Sequence, residues 1–414
     1  MRIEKDILSG LTYLLILFVP VSSFLIFPEI QGTTPGNILT ILCIFLLIFT
    51  DLKSSNKFLF LILVITLSWL IFFSFSQLLI LLFPSRIQFY GLILINPNDD
   101  SIVFRKSLFT QSLYLLMVAI YSLFVYIRYN VRWDKYIQTS AALISIYGIY
   151  EVIYYIIFKN NGDFLSNRTF GPEGLNTGSW MQLFAINDIQ LIRLKSLTGE
   201  PSMYALTILP YLFYGHSIKW HWAIQLVILI SLILTFSTSA ILGLSIGTIV
   251  YLYYKKISIY KAGLTIALIS LICVIFPEGS VSILKQSLAD KITLNNFSGI
   301  DRCQTFISAL NFWLNLNLLS QLFGVGFGTI RSTDFFSTLL VNTGLLGLIA
   351  FVSLFIFPVF VLGNDSRSIG LKQCLLATLI IMLVSVPEFS YLAPWTFLAM
   401  AYNKISTHRF RNID

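Results

Sequence analysis

Charge is what this sequence has least of. Of its 414 residues, 11% are charged, against about 25% in an ordinary soluble chain. Histidine is nearly absent: His216, His221 and His408 are all there is, too few and too scattered for a zinc site. Cysteine is scarce as well, at 43, 273, 303 and 374. Three of the four lie inside apolar blocks without metal-type spacing, so they read as small packing residues. The glycines at 324, 326 and 328 lack a following Gly-Lys-Ser/Thr and a preceding strand, which excludes a phosphate-binding nucleotide loop. A turn that lets helices approach closely is their plain reading. The net charge of +8 is spread through loops rather than gathered in a patch, which argues against nucleic acid as a partner.

What the sequence has instead is apolar length. Hydrophobic residues make up 57% and the mean hydropathy is +0.82. They fall in long blocks, many near the ~20 residues that cross a bilayer. The expectation is an all-α polytopic membrane protein, one integral domain over 1–414, with about twelve transmembrane helices. The spans are placed near 7–27, 36–50, 58–83, 108–127, 136–158, 201–215, 222–236, 238–254, 262–276, 336–362, 373–386 and 390–403. The first block is too long for a cleavable signal core and lacks a small-residue cleavage site, so it reads as a span. Around Pro387, one kinked helix and two spans joined by a tight turn both fit.

Lys and Arg density orients the chain. With the N-terminus in the cytoplasm, 16 of the 27 basic residues fall in short inner connections. The rest lie in three longer outer loops, near 84–107, 159–200 and 277–335. Both termini are then cytoplasmic. The first half of 159–200 is rich in Gly, Asn and Pro and reads as irregular loop. In 277–335, Leu284, Leu288 and Ile292 mark one amphipathic helix, and Cys303, Ile307, Leu310 and Leu314 a second one opened by Asp301.

These outer loops hold the candidate chemistry. Arg193, Lys195, Arg302 and Arg331 lie near span ends. An Arg there suits phosphate, because its planar fork donates two parallel hydrogen bonds. A snorkelling interfacial cation is the plain alternative. Several cations in two loops on one side favour a polyanionic lipid headgroup. Glu200 precedes Pro201, so it either starts a helix or faces a polar cavity. Asp334 stands where the second large loop re-enters the membrane, either capping its helix or acting as a base. Glu151, inside a span among Tyr147, Tyr150, Tyr154 and Tyr155, is a further candidate. Glu29, Glu278 and Glu388 follow prolines and read as interfacial caps.

Four stretches together resemble the bacterial O-antigen polymerase and ligase superfamily, most closely its polymerase (Wzy-type) branch. They are Arg193-Leu-Lys-Ser-Leu-Thr-Gly-Glu-Pro-Ser-Met-Tyr-Ala205, Leu234-Thr-Phe-Ser-Thr-Ser-Ala-Ile-Leu-Gly-Leu244, Asp301-Arg302 with Phe323-Gly-Val-Gly-Phe-Gly328, and Asp334 with Leu339-Leu340 and Gly344-Leu-Leu-Gly347. They span roughly residues 190–350. Two departures stand out: Ala240 occupies the place where many relatives put Arg, and Thr333-Asp334 the place where ligases carry a catalytic His.

The resemblance implies a lipid-dependent, GT-C-like glycosyltransferase of the bacterial inner membrane. Its substrate would be an undecaprenyl-pyrophosphate-linked oligosaccharide, with a chain-length regulator protein as a further partner and no metal or cofactor. The pyrophosphate would be held by Arg193, Lys195, Arg302 and Arg331, and the acceptor hydroxyl activated by Glu200 or Asp334. Within the same superfamily the alternative is an O-antigen ligase. Outside it the alternatives are a non-enzymatic flippase or transporter of lipid-linked oligosaccharide and an interaction protein.

Overall fold

The structure is a computed structural model that describes residues 2–83, 89, 91–169, 181–186, 189–256 and 297–411. The span expected at 262–276 and the amphipathic helix expected around Leu284–Ile292 lie outside the described residues. The chain is mostly helical, at 72%, with thirteen α-helices among the described residues. These are α1 (Arg2–Phe18), α2 (Pro35–Thr50), α3 (Leu52–Leu82), α4 (Lys106–Arg128), α5 (Trp133–Phe158), α6 (Pro201–Ser217), α7 (Trp222–Ile233) and α8 (Thr238–Tyr254). They continue with α9 (Phe297–Leu314), α10 (Leu318–Phe323), α11 (Phe335–Val361), α12 (Ser366–Val384) and α13 (Leu392–Arg411).

Five of them, α3, α4, α5, α11 and α12, are long and apolar enough to cross a membrane. Their outward faces carry large apolar side chains, such as Phe60, Ile71, Ile157 and Phe360. A soluble monomer rarely exposes contiguous apolar surface of that kind. These features fit an all-α membrane protein. The remaining expected spans within the described residues coincide with shorter helices or, for α13, with a less apolar one.

Helix ends follow local chemistry. The first helix stops at Phe18, not at Phe27, although the apolar block runs on. Pro20 cannot continue a helix and disfavours helical geometry at Val19 before it. Residues 19–34 therefore lie across one end of the bundle, where the amides of Ser22 and Ser23 donate to the Leu197 carbonyl at 2.9 and 3.1 Å. Thr34 caps α2 with Pro35 at its first position, and Asp51 caps α3, which starts at Leu52 rather than near 58. The chain near Pro387 forms two helices: α12 ends at Val384 and α13 begins at Leu392. Lys404 of α13 reaches Asp365 at the start of α12 at 2.5 Å, so the pair is antiparallel. The 159–200 loop also carries a two-stranded antiparallel hairpin, β1 (Leu183–Ile186) with β2 (Ile189–Ile192), in register Leu183 to Ile192.

The centre of the bundle is α6, buried along almost its whole length and packed against α12, α8, α7 and α13. Its tyrosines are satisfied inside. The Tyr204 hydroxyl lies 2.9 Å from Ser145 Oγ and 2.7 Å from Ser231 Oγ. The helix α11 is broken at Gly344, where φ is +65°. The glycine turn 324–328 docks into the break: the Val325 amide donates to the Val341 carbonyl and the Gly326 amide to the Asn342 carbonyl, both at 2.9 Å. The approach is so close that a Cβ on Gly344 would sit 2.4 Å from the Leu322 carbonyl carbon. Glycine is required there on both counts.

Candidate functional site

Arg193 follows β2 and is pinned from both sides. Its amide donates to the Gln182 carbonyl at 2.9 Å, and the next amide, of Leu194, donates to the Leu234 carbonyl at 3.0 Å. These bonds fix the arm between the hairpin and the corner joining α7 to α8. The guanidinium is partly buried. Nε donates to the Thr235 carbonyl at 3.0 Å, Nη1 to Gln182 Oε1 at 2.7 Å and Nη2 to the Phe236 carbonyl at 3.2 Å. Three of its five N–H groups are thus used for positioning, and the other two make no hydrogen bond among the described residues. Burial pulls the Arg193 pKa below its usual value; Glu200 opposes that and Arg302 adds to it, so both lie within its electrostatic reach.

The backbone here is strained. Phe236, which accepts from Arg193, has φ of +46°, and Ser196 has +51°. Non-glycine residues in this region cost of order 1–3 kcal/mol and persist where the surroundings over-determine them. Arg302 comes from the first turns of α9 and is exposed. Its Nη1 lies 3.4 Å from Ser385 Oγ, at the end of α12, and Ser385 Oγ is 2.7 Å from Ser239 Oγ, in the first turn of α8. Glu200 precedes Pro201 at the start of α6 and makes no side-chain cap bond. Arg193, Arg302 and Glu200 therefore lie at one end of the bundle, with Arg302 and Glu200 within the electrostatic reach of Arg193.

The other candidates are placed differently. Lys195 is fully buried, paired with Asp163 and 4.0 Å from Glu151. Glu151 also accepts from the Ser196 amide at 3.0 Å, and the Tyr147 hydroxyl donates to Asp163. This cluster ties the 159–200 segment to α5 and turns the ammonium away from the surface where Arg302 lies. Asp334 is the N-cap of α11 and 7% exposed. Its oxygens accept from the Ser337 amide and hydroxyl, both at 2.7 Å, and from Ser332 Oγ at 3.1 Å. Arg331 is directed to Glu388, with Nη2 3.1 Å from Oε2.

Glu388 was read from sequence as an interfacial cap, yet it is 5% exposed and sits in a second charged cluster. Burial pushes its pKa up, but Arg331, Arg168 and the Ser390 hydroxyl and amide more than reverse this and hold it below the usual value. Tyr391 links the two clusters. It lies in the field of Arg168, Glu388 and Glu200, and its hydroxyl donates to the Thr198 carbonyl at 2.7 Å. Arg168, Glu388, Ser239 and Ser385 were not candidates from sequence. The first two carry charge near prolines or in irregular loop, a signal shared by many interfacial residues. Among the described residues, no group of three or more His, Cys, Asp or Glu side chains could hold a metal ion. No family model matches this chain, and no curated protein matches it significantly.

Proposed function

We propose that this chain polymerises oligosaccharide repeat units carried on a polyprenyl pyrophosphate. The growing chain moves from its lipid to the non-reducing end of a new lipid-linked unit. In this reading the end of the bundle that carries Arg193 faces the periplasm at the bacterial inner membrane, and both termini are cytoplasmic. The acceptor hydroxyl oxygen attacks the anomeric carbon, the bond from that carbon to the pyrophosphate oxygen breaks, and the acceptor proton passes to the Glu200 carboxylate.

One observation carries the reading. The Arg193 guanidinium has a second guanidinium, Arg302, and the Glu200 carboxylate within its electrostatic reach. Like charges gathered at a strained and tightly hydrogen-bonded corner suit a polyanion. A departing pyrophosphate develops negative charge that arginines stabilise. Glu200 is favoured over Asp334 as the base, because Asp334 is engaged by the cap it makes while Glu200 makes no cap bond. That engagement also weakens the ligase alternative, which needs its base at this position. Lys195 serves this site through the backbone it holds.

The test is polysaccharide chain length in a deletion strain complemented with point variants at matched expression. Arg193→Ala and Arg302→Ala should abolish polymer while single lipid-linked units are still made. Lys at either position should rescue poorly, because it lacks the fork. Glu200→Gln should also abolish polymer, since an amide cannot accept the proton. Normal chain distributions in both Ala variants would refute the reading.

A further inference from the structure

Two hydroxyl groups stand beside Arg302 with no structural task that explains both. Ser239 lies in the first turn of α8 and Ser385 just past the last turn of α12. Their Oγ atoms are 2.7 Å apart, so each satisfies the other across a helix junction. Neither hydroxyl makes a cap bond, although Ser385 is the C-cap residue of α12. The N-cap of α8 is Ser237, whose Oγ accepts from the Ser239 amide at 3.3 Å. The last turn of α12 is closed by the backbone, with the Ser385 amide donating to the Ile381 carbonyl at 2.9 Å.

Their surroundings are cationic. Among the described residues, Ser385 Oγ is the hydrogen-bond partner of the Arg302 guanidinium, at a long 3.4 Å. The Thr235 and Phe236 carbonyls that hold Arg193 belong to the same α7–α8 corner, a few residues before Ser239. The hydroxyl pair thus sits by the anchor points of both arginines.

We propose that Ser239 and Ser385 are ligands of the anion, and that their mutual bond is exchanged for two bonds to phosphoryl oxygens when a pyrophosphate group binds. The inference rests on the anion site described under Proposed function and adds its hydroxyl half. The chemistry favours it. A hydroxyl pair can turn both hydrogens outward, since each rotates about its Cβ–Oγ bond. Losing one neutral hydrogen bond and gaining two to an anion is favourable, because charge-assisted bonds are roughly twice as strong as neutral ones. Arg302 is weakly held through Ser385, so the same event frees it to close on the ligand. Ser385 is then a ligand and also a contact between α9 and the end of α12.

Binding to purified protein in detergent, measured by calorimetry, separates the possibilities. The probes are inorganic pyrophosphate and farnesyl pyrophosphate. Ser239→Ala and Ser385→Ala should each weaken both probes about ten-fold, the size expected for one hydrogen bond to a charged group. Ser385→Thr should restore most of the loss, because it returns the hydroxyl. Melting temperatures should stay within a few degrees of wild type, so a binding loss with an intact melt cannot be unfolding.

Wild-type affinity in both Ala variants, with binding lost in Arg302→Ala, would overturn the hydroxyl pair and leave the arginine site standing. Serine- and arginine-dependent binding with normal polymer in the arginine strains would support the pair and refute the polymerase reading. A wild-type protein that binds neither probe would overturn both. Tighter binding of farnesyl pyrophosphate assigns the anion to a lipid carrier, and equal affinity to a free polyphosphate; serine dependence supports the pair in either case.

Discussion

The two ends of the helix bundle handle charge in different ways. At the end without Arg193, three carboxylates are each paired with a cation across short connections. Asp51 meets Arg128 at 2.9 Å, Asp134 meets Arg367 while also accepting from the Tyr129 and Tyr214 hydroxyls, and Asp365 meets Lys404. Each of these pairs ties one helix end to another. At the other end, Lys195 and Glu388 are likewise paired, but Arg193 and Arg302 form no salt bridge among the described residues and are held mainly by carbonyls and a hydroxyl. Matched pairs staple helices together. On the proposed reading, Arg193 and Arg302 are a different device, with their charge turned to a ligand. If that proposal holds, fold-holding and ligand-holding cations differ in their partners, though all are Lys or Arg in or near loops.

Substitutions test that distinction. The largest stability loss is expected from Lys195→Met, which strips the cation from two buried carboxylates. Removing one partner of a buried pair costs about 3–5 kcal/mol, so the protein should melt far lower or fail to accumulate. Arg193→Ala should by contrast remove function at a much smaller cost in melting temperature. If Arg193→Ala destabilises as much as Lys195→Met, the two classes collapse into one. Next comes Gly344→Ala. The left-handed conformation alone costs a Cβ-bearing residue roughly 1–2 kcal/mol, and the clash with the Leu322 backbone adds to it. Thermal melts in detergent would read both changes.

Smaller effects sharpen the contrast. Asp334→Ala should cost about 1 kcal/mol through the lost cap, whereas Asp334→Asn should be nearly neutral, because Asn and Asp cap about equally well. Loss of polymer in a stable Asp334→Asn protein would move the base from Glu200 to Asp334. Arg128→Ala removes a part-exposed pair and should cost about 0.2–1 kcal/mol, with no effect on polymer length. The smallest effect concerns acid. Partial burial pushes Asp365 up, but the hydrogen bonds and charge of Lys404 and the Ser368 bonds outweigh it and hold its pKa at about 2. A carboxylate depressed in the folded state adds stability above its unfolded pKa, near 3.9, and loses it as pH falls toward 2. The acid limb of a pH–melting curve should therefore flatten slightly in Asp365→Asn.

Much of the helical layout was legible in sequence because apolar length is a local signal. Where the reading missed, longer-range or finer rules decided. Pro20 ends α1 inside an apolar block whose hydropathy gives no warning. The hairpin at 183–192 sits in the second half of a loop whose first half is rich in glycine and asparagine. Arg193, Arg302 and Glu200 were candidates in the sequence because each lies near an expected span end or helix start. Lys195 has the same local signature, and only its partners at 151 and 163, brought together by the fold, show that it is a staple. Glu388 was missed for the mirror reason. It follows a proline as a cap would, and its partner Arg331 lies 57 residues earlier in the chain.

The break in α11 has a consequence for how the protein is made. The glycine turn at 324–328 hydrogen-bonds to carbonyls at 341 and 342, which leave the ribosome later, and Arg302 and Arg331 are steadied by Ser385 and Glu388, later still. Synthesis therefore delivers Arg302 and Arg331 before the side chains that their guanidiniums meet. Domains fold as the chain emerges, amino end first, but this end of the bundle must wait for its last two helices to insert. A ribosome-stalled chain ending before α12 should leave a cysteine introduced at Phe327, which is buried against Phe389 in the full chain, open to a water-soluble thiol reagent, and release of the full chain should close it.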